Sequence, residues 1–307
     1  MQRFKNILLV LSPEVESIAT LNKAVLLAES NGARLTLISV VERHPKLRNY
    51  LEKPPPSVIK AITSERRVWS EQQLKPVQKK GLDALSVVAT GIPFIAIIQE
   101  VLRQQHDLVI LTAEKEKSIS MRVFGSTSMH LMRKCPCPVW VGKRAQTWPY
   151  TRILAAVDPL SPMLQQDSLN PFILQLAANM ARKEEGEFHI THVWNSFVGN
   201  YGVNLSLTEE EIEQDKILYK NNFDALLEQA DVTDLKPCVH FIEGEPQACI
   251  SELVVEKNID LLVMGTVCRT GIAGFLIGNT AEEVLNQVDC SVLAVKPEGF
   301  VTPVELE

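Results

Sequence analysis

The residues best suited to chemistry fall in one stretch, Met264-Gly-Thr-Val-Cys-Arg-Thr-Gly-Ile-Ala-Gly-Phe-Leu-Ile-Gly-Asn-Thr280. Gly265, Gly271, Gly274 and Gly278 crowd it, with Arg269, Asn279 and Thr280 among them. Before it, Ile259-Asp-Leu-Leu-Val-Met264 reads as a buried strand. After it, Ala281 to Gln287 reads as a helix, and Thr280 and Glu283 have the spacing of a capping box. A glycine-rich loop running from a strand's carboxyl end into a helix start gathers free backbone N–H groups at the positive end of the helix. That is chemistry for a phosphate or another anion. The same glycines would also serve a tight connection, and the loop alone favours neither use.

Other candidates carry less. Cys135-Pro-Cys137 has no partner Cys-x-x-Cys and no nearby His, so it reads as small buried thiols at a strand edge. His189 and His192 stand three apart on a predicted strand; they point to opposite faces and cannot chelate one metal together. No metal site is predicted. Gly-x-Ser-x-Gly, His-Glu-x-x-His and a full Walker A are all missing, so hydrolase and P-loop readings have no support. Trp69, on a long helix, reads as core or interface.

Composition bounds the elements that must position these residues. The chain has 307 residues, 46% of them hydrophobic, enough for about two domains with cores of their own. A net charge of −6 argues against a surface devoted to nucleic acid. Near the N-terminus the apolar run Ile7 to Leu11 is too short for a signal segment, and no stretch reaches the ~18 apolar residues of a membrane span. A soluble, cytoplasmic protein without membrane contact is expected. Six cysteines in a chain of this length do not suggest a disulfide framework.

Taken in order, the elements repeat. Asn6 to Leu11 reads as a strand, Ser17 to Asn31 as a helix stopped by Gly32, and Arg34 to Val41 as a second strand. A long polar helix follows from about Ser57 to Gly81, which Pro76 should kink or shorten. Then come a strand at Leu85–Ala89, a helix from Phe94 to Gln105 and a strand at Asp107–Leu111. A helix near Ser128–Arg133 and a strand at Pro138–Val141 complete the first series. From Arg152 the order starts again: a strand at Ile153–Val157, a helix from Ser168 to Lys183 and a strand at Phe188–Trp194. A helix opened by the capping box Thr208–Glu211 and a strand at Val239–Ile242 follow. Gly91 recurs as Gly244 and Lys143 as Lys296, one constant offset of 153 residues (244 less 91). Twelve residues in that ungapped block are identical, more than chance produces.

Short apolar strands alternating with helices imply an α/β fold: two tandem doubly wound domains, each on a five-stranded parallel sheet. The boundaries are read as 1–147 and 148–307. Ligands on such sheets bind at the carboxyl ends of the strands, near Ser12 or Asp158 after each first strand and the loop after each fourth.

These residues carry a resemblance. Gly265-x2-Cys268-x9-Gly278-Asn279-Thr280, with Arg269-Thr270-Gly271 and the ending Asp289 to Lys296, resembles the ATP-binding branch of the universal stress protein family. The strand ending in Asp158 is similar to the family's Ala-x-Val-Asp motif, and the tandem arrangement, with Gly278-Asn-Thr280 in the second half and Arg133-Lys-Cys-Pro-Cys-Pro-Val-Trp140 in the first, resembles the family's tandem form. The resemblance implies a Rossmann-like fold, with the two halves forming an intrachain pseudo-dimer through their last strands; a further homodimer stays open. It implies a non-catalytic stress-response protein, active in starvation or DNA damage, that binds a nucleotide-like or other phosphorylated ligand in its second half. ATP is the reference ligand; no cofactor is required, and Asp158 alone could hold Mg²⁺. By the resemblance, Asp158 would accept hydrogen bonds from ribose or adenine and Val193 would line the base pocket. Met264 and Gly265 would lie at the base and ribose side. Arg269, Gly278, Asn279 and Thr280 would face phosphates. A stress-pathway protein partner is implied but not identified. The alternatives are a weak ATP- or nucleotide-hydrolysing enzyme and a ligand-free scaffold.

Departures are visible too. Cys268 stands where the motif has Gly, and its Cβ narrows the approach for a phosphate. Asn279 replaces Ser or Thr. In the first half Ser12, Thr112 and Lys115 replace the Asp and both early glycines, leaving only Gly125-Ser126, so no family-type nucleotide site is expected there. Lys115, Lys117 and Arg122 read as a solvated charged loop.

Overall fold

A computed structural model describes residues 4–15, 17–42, 55–113, 124–143, 149–159, 169–195, 208–266 and 278–306. These divide into two compact units. One runs to Lys143 and includes the tail Val301–Leu306; the other runs from Pro149 to Phe300. Gln99 holds the tail by donating to the Glu305 carbonyl at 3.0 Å.

In the first unit the elements are β1 (Asn6–Val10), α1 (Ile18–Asn31), β2 (Arg34–Val41), α2 (Pro56–Gln78) and β3 (Ala84–Thr90). They continue with α3 (Pro93–Gln104), β4 (Leu108–Thr112), α4 (Ser126–Lys134) and β5 (Val139–Gly142). The strands lie in the order β3-β2-β1-β4-β5, and every pair is parallel. The second unit repeats this with β6 (Arg152–Ala156), α5 (Leu169–Glu184), β7 (Glu187–Trp194), α6 (Glu209–Gln229) and β8 (Cys238–Glu243). Then follow α7 (Pro246–Glu256), β9 (Leu261–Gly265), α8 (Asn279–Gln287) and β10 (Ser291–Val295). Its order, β8-β7-β6-β9-β10, is again parallel throughout. This strand order with right-handed crossovers puts successive helices on one face and then the other. In the second unit α5 accordingly packs on α6, and α7 on α8.

Local chemistry accounts for the boundaries. Gly32 ends α1 in the left-handed region at φ 56°. Pro76 lies inside α2, which ends two residues later, as the shortening of that helix requires. Thr208 and Glu211 form the reciprocal capping box at the start of α6. Strand interiors such as Leu8, Leu9, Val109, Ile110, Leu154, Leu262 and Val263 are fully buried, as strands covered on both faces must be. β4 and β9 start one residue after an aspartate that does another job. Asp107 accepts the Lys5 and Asn6 backbone N–H groups at 2.6 and 3.0 Å, and Asp260 accepts those of Thr151 and Arg152 at 2.8 and 2.9 Å. The duplication therefore extends to how each first strand is fastened to its neighbour.

One boundary differs from the sequence expectation. Thr280 and Glu283 do not cap α8; the helix begins at Asn279, with Gly278 as its extended N-cap and, among the described residues, no side chain capping it. The helix starts two residues too early for Thr280 to stand at the capping position.

Candidate functional site

The carboxyl ends of β6, β7 and β9 define one rim of the second unit. Residues alternate across a strand, and the registers Ala156↔Thr191 and Ala156↔Met264 set the three strands in phase. Met264 and Val193 therefore share the face that carries α7 and α8, and both are buried. Asp158 follows β6 by two residues, half-buried. Its backbone is clamped from both sides by Asn170 on α5. The Asp158 N–H donates to Asn170 Oδ1 at 2.9 Å, and Asn170 Nδ2 donates to the Asp158 carbonyl at 2.8 Å. Asn170 is itself buried, so this clamp fixes the turn that presents the Asp158 carboxylate.

Gly265 has a packing role beside the one its motif position implies. A Cβ there would meet Leu169 Cδ2 at 3.0 Å and Ile173 Cδ1 at 3.6 Å. Its missing side chain makes room for α5 on the face opposite Met264. In the first unit Thr112 occupies the equivalent place, and its hydroxyl donates to Thr20 of α1 at 2.7 Å. The same contact between a strand end and a helix is thus apolar in one unit and polar in the other.

Gly278, Asn279 and Thr280 form the start of α8; Asn279 and Thr280 are exposed. With no side chain capping this end among the described residues, backbone donors of the first turn point out of the helix with its positive dipole end. Glu282, in the same turn, adds one negative charge. Arg269, the remaining phosphate-facing candidate, lies outside the described residues, as do Cys268 and the centre of the glycine-rich loop.

Behind this rim sits a residue that sequence reasoning weighed only as a metal ligand. His192 is fully buried on β7, and its Nδ1–H donates to the Val157 carbonyl at 3.2 Å, one residue before Asp158. Its ring lies among Tyr219, Phe223 and Phe241, at centroid distances of 5.8, 5.5 and 5.9 Å. Burial pushes its pKa down to about 4, so the imidazole is neutral. His189, on the other face of β7, has separate surroundings, its Nδ1 lying 3.0 Å from Nε2 of His240 on β8.

The first unit arranges its equivalent rim differently. Ser12 hydrogen-bonds Glu14, which pairs with Arg66 of α2 at 2.8 Å; Arg66 also donates to Ser39 at 3.1 Å. A tied ion pair stands where the second unit presents Asp158. Lys115, Lys117 and Arg122 lie outside the described residues. Cys135 and Cys137 are buried thiols with their sulfurs 3.6 Å apart. The Cys135 contact, and then burial, hold the Cys137 thiol well above its ordinary pKa, so Cys137 does not behave as a reactive thiolate.

Comparison with known proteins agrees with this architecture. Residues 3–143 and 149–296 each match the universal stress protein family. The chain is 29% identical to universal stress protein E of Escherichia coli strain K12, across 100% of this chain and 98% of the relative. It is 28% identical to universal stress protein E of Photorhabdus laumondii, with 99% of each chain covered. Among solved structures, a functionally unknown protein from Pseudomonas aeruginosa PAO1 shares the fold with a TM-score of 0.72 at 24% identity, over 97% of this chain and 95% of that one. A universal stress protein from Archaeoglobus fulgidus does so with a TM-score of 0.64 at 17% identity, over 95% and 98%. With two family domains in tandem on the predicted fold, the chain belongs to the universal stress protein family and is a stress-response protein.

Proposed function

We propose that the second unit is a non-catalytic binding module for a nucleotide-like or other phosphorylated small molecule, whose occupancy changes the protein's contacts with a stress-pathway partner. The observation that carries this reading is the start of α8, a helix end that no side chain caps among the described residues and that follows a glycine-rich stretch in the sequence. Backbone N–H groups in that position stabilise a phosphate without a metal ion. Across the rim, the Asn170 clamp holds Asp158 ready to accept hydrogen bonds from sugar hydroxyls or a base amine. Val193 and Met264 lie buried on the face between and give it an apolar floor. Among the described residues, nothing at this rim pairs a nucleophile with a general base, which favours binding over turnover.

Native mass spectrometry of freshly purified full-length protein, with released small molecules identified, tests the reading. A phosphorylated ligand that is retained by the wild type and lost in Asp158→Ala supports it. Retention unchanged in Asp158→Ala places the ligand elsewhere, and an empty protein that ignores added ATP leaves the scaffold reading. Phosphate release from ATP, abolished by Asp158→Ala, would replace the binding module with an enzyme. Cys268→Gly restores the motif glycine and should tighten ATP binding if that Cβ is what narrows the phosphate approach.

A further inference from the structure

At the opposite end of the second sheet, the amino ends of β7 and β8 bring together side chains that the duplication does not require. Glu187, His189, Cys238 and His240 lie on two neighbouring strands, with His189 paired to Cys238 in register. Residues two apart on a strand share a face, so all four project to the same side. The cluster lies far along the strands from the Asp158 rim and makes no use of it.

The geometry suits a metal ion. Donor atoms of Glu187, His189 and Cys238 all lie within 4.8 Å of one another. Glu187 Oε1 is 3.4 Å from His189 Nε2 and 3.6 Å from Cys238 Sγ. In a tetrahedral zinc site with Zn–S of about 2.3 Å and Zn–N or Zn–O of about 2.0 Å, neighbouring donors sit roughly 3.3–3.6 Å apart. His189 is 2% exposed, and its Nε2 is buried without a well-formed hydrogen bond. That nitrogen is aimed at the gap between the carboxylate and the thiol. Nδ1 of the same ring meets His240 Nε2 at 3.0 Å, and the two rings stack nearly parallel, 9° apart. An Nδ1–H donating to His240 leaves the Nε2 lone pair directed at an ion, the usual arrangement of a ligating His and its orienting partner.

The first unit serves as an internal control. At the constant offset of 153, the four positions there are Arg34, Thr36, Leu85 and Val87. They line a small cavity of about 80 Å³. Of the two sets of equivalent positions, only that of the second unit carries soft and borderline metal donors.

We propose that Glu187, His189 and Cys238 bind one divalent transition-metal ion of the zinc type, with His240 as the positioning residue and water in the fourth coordination place. A thiolate, an imidazole and a single carboxylate select zinc, cobalt or nickel over magnesium or calcium, which prefer all-oxygen sites. Burial keeps the His189 imidazole neutral, the form that ligates. Burial and the neighbouring Glu187 raise the Cys238 pKa, so the metal-free protein holds a thiol there. Binding then forms the metal–sulfur bond and releases the thiol proton to solvent. Arg152, 4.0 Å from the second Glu187 oxygen, and Lys257 at the end of α7 are the nearby cations that the ion must outcompete.

Cobalt and zinc titration of full-length, chelator-treated protein tests this. One cobalt ion per chain should bind and give a near-ultraviolet thiolate-to-cobalt charge-transfer band. Cys238 is exposed, so Cys238→Ser should keep the fold by circular dichroism while losing that band and weakening zinc binding by well over tenfold. His240→Gln should keep the band but weaken binding roughly 10- to 100-fold, the usual effect of removing an orienting partner. An undiminished band in Cys238→Ser would assign the ion to other thiols, such as the Cys135–Cys137 pair, and overturn the proposal. Zinc binding no tighter in the wild type than in Cys238→Ser would overturn it equally.

Discussion

Acid should destabilise the second unit through one buried imidazole. His192 has a pKa of about 4 in the fold, against 6.5 for an unperturbed His. The fold favours the neutral ring, because burial among Tyr219, Phe223 and Phe241 penalises the charge. The stabilisation is therefore fully present above pH 6.5 and is lost as pH falls through 6.5 towards 4. The gap of about 2.5 pH units, at roughly 1.4 kcal/mol each, gives a contribution of about 3 kcal/mol. Between pH 7 and pH 4.5, about 2 kcal/mol of that should disappear. His192→Phe keeps an aromatic ring in the cage and removes the proton site; its loss of the Val157 hydrogen bond, about 1 kcal/mol, does not depend on pH. Urea unfolding of wild type and variant at both pH values isolates the effect. The wild type should lose about 2 kcal/mol more than the variant on acidification. Proton NMR of the ring, assigned by the signal missing in the variant, should show no titration near pH 6.5. Equal pH dependence in the two proteins, or a midpoint near 6.5, would refute the reasoning.

Other substitutions test the local accounts. Gly186→Ala would place a Cβ 2.8 Å from the Tyr150 carbonyl oxygen, so calorimetry should show a loss of about 1–3 kcal/mol. Gly265→Ala meets only the tip of Leu169 at 3.0 Å, and should cost less than Gly186→Ala in the same measurement. Asn170→Ala removes both hydrogen bonds to the Asp158 backbone and should cost about 1–3 kcal/mol. In equilibrium dialysis it should also weaken any ligand that depends on Asp158. Thr208→Ala breaks the capping box of α6 and should cost about 1 kcal/mol by urea unfolding, without altering ligand binding.

How much of this was legible in the chain depends on the range of the interactions concerned. Element order, strand positions and the duplication follow from local periodicity and from residues such as Gly32, Pro76, Thr208 and Glu211. Their effects act within a few positions along the backbone. Thr280 and Glu283 fit a local capping pattern, yet α8 starts at Asn279, because such a pattern does not fix which residue of the stretch opens the helix. Nothing in the stretch around Gly265 announces that Leu169 of α5 presses against it. His189 and His192 are close in sequence but lie on opposite faces of β7. The register of β7 against β8 gave each a different partner.

The sequence by itself determined two tandem α/β units, their family, and a glycine-rich strand-to-helix loop in the second, since composition, periodicity and an exact internal offset are properties of the chain. Only the tertiary structure decided that His192 is a neutral core residue behind Asp158, and that Glu187 and His189 meet Cys238 and His240. Those neighbours lie about 50 residues apart, and only parallel pairing of the strands, which aligns residue with residue across the sheet, brings their side chains within bonding distance.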